Sequence, residues 1–458
     1  MSSEIDRIKE VMSITDKEIS PTFCMAKWHH TTIYLQTGET HSCYHPAPHK
    51  IPLAELERTP SALHNTAEKK KQRKAMIDGK QPNGCSYCWK IEAMGKDYIS
   101  DRKQKTASIY TPERLEEIKQ GGWEFDINPE YIEISFSNEC NFKCGYCHPK
   151  ASSRYWKEIE DHGPYDISSC HSQNTDWIKL FHKEEENPYV NAWLKWWPEV
   201  SKTLNILRIT GGEPLMHSTT WKLLDDLDKN PKPHIQIELN SNLGVKASLV
   251  RKFADKIKTL KAENKIRSFK LYTSIDTWGE RAEYIRTGLD IKLWENNLDY
   301  YLTTTGMPVT FMITFNIFSV TSFNLLLEKI LEWRTKYNTD HQSQWQLIRF
   351  DTPHLKEPLI YDMNILPKND FMPYMEKHLE YIKNNLDETD KTKFSKIEYE
   401  KFKRVVDYMS GTFYNEDTLK TARQDFYAWF NEHDRRRNTN VYKAFPEMQN
   451  FIDFCAEL

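Results

Sequence analysis

Tyr131-Ile132-Glu133-Ile134-Ser135-Phe136-Ser137-Asn138-Glu139-Cys140-Asn141-Phe142-Lys143-Cys144-Gly145-Tyr146-Cys147-His148 is the stretch from which the rest of the chain can be read. Its first half alternates, with Ile132, Ile134 and Phe136 on one side, which predicts a β-strand with one buried face. Its second half is a C-x3-C-x2-C loop with an aromatic residue before the last cysteine. Three thiolates on one short loop can hold three irons of a cubane [4Fe–4S] cluster and leave the fourth iron open to an outside ligand. An open iron lets a cluster do chemistry rather than only carry electrons. Structural zinc is the other reading of a Cys-rich loop. It usually takes four ligands in paired C-x2-C form, and three unevenly spaced cysteines suit that closed tetrahedron poorly.

Working outward, strand-like runs recur at Leu204–Thr210, Ile235–Leu239, Phe269–Ile275, Val309–Phe315 and Trp345–Phe350. Between them lie amphipathic stretches at Thr219–Leu227, Ala247–Leu260, Ile291–Leu302 and Ser322–Tyr337. Such alternation predicts parallel βαβ units. The expected fold class is α/β, a partial (β/α)6 TIM-like barrel spanning 106–366, with functional residues on loops after the strands. A small Cys-rich α+β domain (1–105) precedes it. A charged helical region (367–458) follows, with helices predicted at Phe371–Asn384 and Phe394–Met409. The cysteine loop directly follows the first barrel strand.

After the next strand comes Thr210-Gly211-Gly212-Glu213-Pro214. Glycines allow close backbone approach, and the carboxylate can accept from an amino group. Together with the cysteine loop this resembles the radical S-adenosylmethionine (SAM) superfamily. The resemblance covers about residues 128–350. It implies that Cys140, Cys144 and Cys147 hold the [4Fe–4S] cluster and that SAM chelates the open iron. It implies further that Gly211, Gly212 and Glu213 hold the SAM amino group and that Tyr146 lies near the adenine. Asn240-Ser241-Asn242 resembles the family's Thr-Asn-Gly-type turn, which brings in Asn242; an ordinary hydrogen-bonded turn explains it as well. Ser274-Ile275-Asp276 and Tyr284-Ile285-Arg286-Thr287-Gly288 resemble a segment that contacts the SAM ribose and carboxylate, so Ser274 and Arg286 are carried over. Asp276 is expected either in that pocket or as a helix cap. Asn316 is a weaker candidate for the same pocket.

Cys24, Cys43, Cys85 and Cys88 form a second set, with C-x13-G-x4-C through Gly38 and a later C-x2-C. This resembles the twitch domain, a shortened relative of the SPASM domain, and implies a second, auxiliary [4Fe–4S] cluster with four protein ligands. Two departures stand out. Those domains follow the barrel, whereas this set precedes it, and no further cysteine follows Cys88 before Cys140. Zinc also fits four cysteines, although a Gly-x4-Cys spacing is not a zinc-ribbon feature. Trp28–Ile33 is expected as a strand into a Gly turn, Ile51–Leu63 as a connecting helix, and the Lys69–Lys74 run as a solvated helix face. His29, His30, His41, His45 and His49 are expected at the surface or in turns rather than as ligands.

The 458 residues carry 63 Lys+Arg against 66 Asp+Glu, a net charge of −3 that offers no general footprint for nucleic acid. Mean hydropathy is −0.73, and no apolar run is long enough for a membrane span. Nine cysteines without a secretory leader lead to the expectation of a cytoplasmic, reducing setting. Cys170 and Cys455 are expected as free thiols, Glu184–Glu186 with Trp193, Trp196 and Trp197 as a helix with an aromatic core face. The expected function is reductive SAM cleavage to a 5′-deoxyadenosyl radical that abstracts hydrogen, most simply from a peptide or protein. A flavodoxin or ferredoxin is implied as electron donor. A sugar or nucleotide substrate, or a non-catalytic zinc- or cluster-binding protein, are the competing readings.

Overall fold

The computed structural model describes residues 2–95, 99–168, 186–337 and 346–458. Nine strands form one sheet in the order β3-β2-β1-β4-β5-β6-β7-β8-β9. The strands are β1 (His30–Tyr34), β2 (Glu39–His41), β3 (His49–Lys50), β4 (Tyr131–Ser135), β5 (Ile206–Thr210), β6 (Lys232–Ser241), β7 (Ile266–Ser274), β8 (Val309–Met312) and β9 (Ile348–Asp351). From β4 to β9 every neighbour is parallel, as the strand–helix alternation requires. Helices Ser218–Lys229, Ala247–Ala262, Ile291–Thr305 and Ser319–Tyr337 make four of the crossovers. Each runs slightly past the length that periodicity predicts. At Ile291–Thr305 the Asp290 side chain caps the first turn, and Gly306 closes the last in a left-handed conformation.

One face of the sheet is apolar. Ile134, Leu207, Ile209, Ile237, Leu239, Leu271, Phe311 and Phe350 are buried there in one core with Leu223, Phe253, Trp294 and Trp333 of the crossover helices. The alternate residues, Glu133, Arg208, Glu238, Lys270 and Arg349, occupy the other face. That period-2 division is what a strand covered on one side only must show.

The N-terminal region departs from expectation. Its β1 pairs in parallel with β4 (His30↔Tyr131 to Tyr34↔Ser135), and β2 returns antiparallel, so the region adds three strands to the same sheet. The expected strand at Trp28 is instead a short helix, Ala26–His29, and the strand starts at His30. The expected helix Ile51–Leu63 is split by Pro60 into Leu53–Arg58 and a 3-10 turn Pro60–Leu63. The Lys69–Lys74 run is no solvated face throughout. Lys69 and Arg73 are fully buried; Lys69 Nζ donates to Thr31 Oγ1 and Thr40 Oγ1 (2.7 Å each), and Arg73 Nε to the Lys27 carbonyl (3.0 Å). His29 and His41 are likewise buried rather than at the surface. A second small core gathers Phe23, Trp28, Met76, Ile118 and Ile127.

The C-terminal helices fall at Lys368–Asn384, Lys396–Ser410 and Glu416–Arg437. Trp193, Trp196 and Trp197 are buried on the helix Pro188–Val200, in line with their spacing. Cys455 is a buried free thiol. Cys170, Glu184, Glu185 and Trp345 lie outside the described residues.

Candidate functional site

The loops leaving the C-terminal ends of β4, β5, β6 and β7 close on one another around the three-cysteine segment. Glycine makes this possible. A Cβ at Gly212 would stand 2.2 Å from the Glu139 carbonyl oxygen, and one at Gly244 would meet the Phe142 ring at 2.2 Å. Gly288, at φ +109°, passes the Asn141 carbonyl where a Cβ would come within 2.8 Å. At Gly212 and Gly288 the atoms met are backbone, so no side chain fits there. Hydrogen bonds fix the same approach: Glu213 N–H donates to the Glu139 carbonyl (2.7 Å), Asn141 Nδ2 to the Gly244 carbonyl (2.8 Å) and Lys143 N–H to the Thr287 carbonyl (2.9 Å).

Within this clamp Cys144 is buried and Cys140 and Cys147 are half-buried. Burial pushes the Cys147 thiol up to about 12 and raises Cys140 and Cys144 too. A thiol in such surroundings gives up its proton when a metal takes the proton's place. Arg286 Nη1 lies 3.9 Å from Cys144 Sγ and Asn242 Nδ2 lies 3.8 Å from Cys140 Sγ, both able to donate to a thiolate. The donor set and the glycine-lined approach therefore fit a cluster on this loop. Among the described residues, no three His, Cys, Asp or Glu side chains are gathered tightly enough to hold a single metal ion.

Glu213 is fully buried. Its Oε1 accepts from Leu215 N–H (3.1 Å) and Ser241 Oγ (2.8 Å), and its Oε2 from Asn242 N–H (2.6 Å). A carboxylate offers about four acceptor positions, so one remains for a ligand. Burial drives its pKa up to about 7 despite these three bonds. Asn242 also bonds Asn141 Oδ1 (2.8 Å), so it ties the β6 turn to the cysteine loop.

Arg286 and Asp276 form a buried ion pair (2.9 Å). Asp276 also accepts from Tyr146 Oη (2.7 Å) and Thr314 N–H (3.0 Å), so it caps no helix. The Arg286 guanidinium lies over the Tyr146 ring (5.5 Å), and its Nε is buried with no hydrogen-bond partner. An unmet buried donor beside the cysteine loop is a place for an anionic ligand group. Ser274 stands at the end of β7, two residues before Asp276. Asn316 is buried and spends its side chain on the Thr314 carbonyl and Phe318 N–H.

Sequence reasoning assigns no role to Asp434-Arg435-Arg436-Arg437 or Phe445-Pro446-Glu447. In the structure Arg437 is a brace for the cysteine loop. Its Nη1 donates to the Lys143 carbonyl (2.6 Å) and Thr287 Oγ1 (3.1 Å), and its Nη2 and Nε to Glu158 (2.9 and 3.1 Å). Glu158 also bonds Lys143 Nζ and Tyr165 Oη. Burial opposes the Glu158 charge, yet Arg437 and Lys143 outweigh it and hold its pKa down to about 2. Asp434 accepts from Tyr284 Oη (3.0 Å), and Glu447 takes a bidentate bond from Arg281 (2.6 and 3.1 Å). No local signal marks these residues, since the partners just named lie 150 or more positions away.

Cys24, Cys43, Cys85 and Cys88 line one recess of about 380 Å³, including its mouth, together with Lys27, His45, Asp101 and Arg102. Burial raises the Cys24 thiol to about 12 and lifts Cys85 and Cys88. Lys27 and Arg102, both buried, stand beside the thiols, and their charges lower Cys24 and Cys85 against the burial that raises them. Four thiols and two buried basic side chains thus face one recess.

No protein-family model matches the chain, and no curated protein does. Among solved structures it is similar to native anSMEcpe with bound AdoMet, at 16% identity and a TM-score of 0.35 over 56% of this chain and 61% of that one. A similar likeness holds for native anSMEcpe with bound AdoMet and Kp18Cys peptide, at 14% identity and a TM-score of 0.35. The chain thus spans about 61% of the length of these proteins, and likenesses of this size do not define its fold.

Proposed function

We propose that this protein is a radical SAM enzyme. The observation that carries the reading is the convergence of four strand-end loops on Cys140, Cys144 and Cys147, with Gly212 and Gly288 packed against that loop's backbone where a Cβ would clash. A [4Fe–4S] cluster on the three thiolates, with SAM at its open iron, would supply a 5′-deoxyadenosyl radical able to take hydrogen from an unactivated C–H bond. The protein's own residues do the rest. Glu213 offers its remaining acceptor to the SAM amino group, and the Gly211–Gly212 backbone leaves room for it. Arg286 offers Nε to the carboxylate, held in place by Asp276. Tyr146 is fixed by Asp276 for contact with the adenine. Asn242 orients Asn141 and the cysteine loop, and Ser274 stands where a ribose hydroxyl would bond.

In this reading the helix-covered sheet is a partial barrel spanning 106–366. Residues 1–105 form an auxiliary-cluster unit in which Cys24, Cys43, Cys85 and Cys88 hold a second [4Fe–4S] cluster, and 367–458 form a helical brace. The substrate is a peptide or protein, and the electron comes from a flavodoxin or ferredoxin. The test is anaerobic reconstitution, iron and sulfide counting, and a SAM-cleavage assay with dithionite. Wild type should release 5′-deoxyadenosine, and Cys144→Ala should not, since a three-thiolate site that loses a ligand loses its open iron. Cleavage that persists in Cys144→Ala overturns the assignment.

A further inference from the structure

The polar face of the sheet carries a transverse row of charge. Strand register places Thr32, Glu133, Arg208, Glu238 and Lys270 side by side on β1, β4, β5, β6 and β7. Most of these groups are matched: Glu238 takes Gln236 Nε2 (2.5 Å) and Lys270 Nζ (3.5 Å). Arg208 is not. Its side chain is 17% exposed, its Nε donates to Asn240 Oδ1 (3.0 Å), and its guanidinium stacks over the Tyr272 ring (4.5 Å). The nearest carboxylate, Glu133, stands 3.9 Å from that same Nε, beyond hydrogen-bond reach. Among the described residues neither terminal nitrogen of Arg208 makes a hydrogen bond. A guanidinium fixed at its Nε and along its plane, with both terminal nitrogens free, is set for a carboxylate in the two-pronged geometry that arginine favours.

Its position ties this fork to the candidate site. Arg208 and Thr210 share one face of β5 by the strand period, as do Tyr272 and Ser274 on β7, and β5 leads directly into the Gly211–Glu213 turn. Gly211 follows Arg208 by three positions, about 10 Å along an extended strand. We infer that Arg208 is a substrate-anchoring site that binds a carboxylate group of the peptide or protein substrate, on the polar sheet face below the Gly211–Glu213 turn. A carboxylate held there places the neighbouring carbons of its chain on the stretch of sheet between the fork and the turn. The carboxylate belongs to an Asp or Glu side chain or to a chain terminus; both present the same group to the fork.

This inference rests on the preceding reading for the identity of the site as a substrate groove. The test is therefore a binding measurement that needs no turnover. Three tripeptide probes serve: acetyl-Ala-Glu-Ala-amide with a side-chain carboxylate, acetyl-Ala-Gln-Ala with a terminal carboxylate, and acetyl-Ala-Gln-Ala-amide with neither. Their binding to the anaerobically reconstituted protein is followed by calorimetry. A carboxylate probe should bind at least tenfold more tightly than the amide, and whichever of the two does so identifies the source. The preference should vanish in Arg208→Gln. It should shrink but persist in Arg208→Lys, which keeps the charge and loses the fork. Thermal melting and iron content, unchanged in Arg208→Lys, guard against misfolding. Equal binding of all three probes, or a preference that survives Arg208→Gln, overturns the inference. If the preference behaves as expected while SAM is not cleaved, the anion site stands and the radical SAM reading falls. If SAM is cleaved and the preference is absent, the radical SAM reading stands and the anion site falls.

Discussion

Arg437 reaches the cysteine loop from the last turn of the helix Glu416–Arg437, 294 residues along the chain from Lys143, and its removal tests whether that loop is braced by the C-terminal region. Arg437→Met keeps much of the length and apolar body of the side chain while deleting its charge. Four hydrogen bonds disappear, and two of them end on Glu158, whose side chain is 2% exposed. Breaking a buried ion pair by removing one partner costs about 3–5 kcal/mol. Glu158 keeps Lys143 Nζ and Tyr165 Oη, so the lower end applies, about 3 kcal/mol. A domain is typically stable by ~5–15 kcal/mol, so the variant should fold, and the loss should appear as local opening. The Lys143 and Gly145 amides, which donate to the Thr287 and Ile285 carbonyls, should exchange with deuterium on the order of a hundredfold faster. Iron should be lost from the reconstituted variant at a correspondingly higher rate. Arg435→Met is the control, because Arg435 is exposed and bonds Glu432 on its own helix. Unchanged exchange at Lys143 and Gly145 in Arg437→Met would refute the brace, whatever the global melting temperature did.

Wild type should bind about eight irons per chain, and the Cys140/Cys144/Cys147 triple Ala variant about four, counted by iron and sulfide analysis. One zinc and no iron in the triple variant would make the N-terminal site a zinc knuckle. Glu213→Gln should weaken SAM binding on the order of ten- to a hundredfold at constant iron content, since a charge-assisted hydrogen bond is worth about 1.5–3 kcal/mol. The Glu213 pKa is raised to about 7, so its carboxylate is protonated below that pH; SAM affinity should rise as pH is increased from 6 to 8 and flatten in the Gln variant. EPR-monitored titrations read both effects, and an unchanged pH profile in Glu213→Gln would mean the pocket lies elsewhere. Glu158 behaves oppositely: its folded pKa of about 2 lies below the ordinary 4.5. Its stabilisation is present above pH 4.5 and is lost as pH falls through 2, a loss of about 3 kcal/mol. Acid denaturation of Glu158→Gln should be shallower than that of wild type over this range.

How much is legible in the sequence follows from which contacts are local. Strands β4 to β9 and their crossovers are readable because one buried face imposes a two-residue period and one buried stripe a helical one. The cysteine loop and Gly211-Gly212-Glu213 are readable because each is a contiguous motif. Lys69 and Arg73 mislead, since a run of charge reads as a face in water. Their acceptors, among them two threonine hydroxyls and the Lys27 carbonyl, come from other elements, and no local rule announces a buried basic side chain with neutral partners. The pairing of β1 with β4 is hidden for a similar reason. Parallel strands separated by about a hundred residues leave no mark on the alternation of either. Asp276 shows a finer failure: a carboxylate after a strand reads equally as a cap or a ligand, and only the neighbouring Arg286 and Tyr146 decide.

The β1–β4 pairing also sets where the two thiol groups stand. Strand β1 runs parallel to β4, and β2 returns antiparallel, so Cys43, two residues past β2, lies toward the end of the sheet where β1 and β4 begin. Cys24 precedes β1 at that same end. The four-cysteine recess therefore lies at the N-terminal end of β4, and the Cys140 loop leaves its C-terminal end. Tyr44, next to Cys43, crosses from the recess to the polar sheet face and bonds Tyr131 Oη to Oη (2.8 Å), two residues before Glu133. Arg208 pairs in register with Glu133, at the middle of that strand. A ligand anchored at Arg208 would thus sit beside the strand that runs from the recess toward the cysteine loop. The chain order of the cysteine-rich region, before the sheet rather than after it, imposes no obstacle, because β1 inserts beside the first strand of the parallel series and carries the recess to its foot.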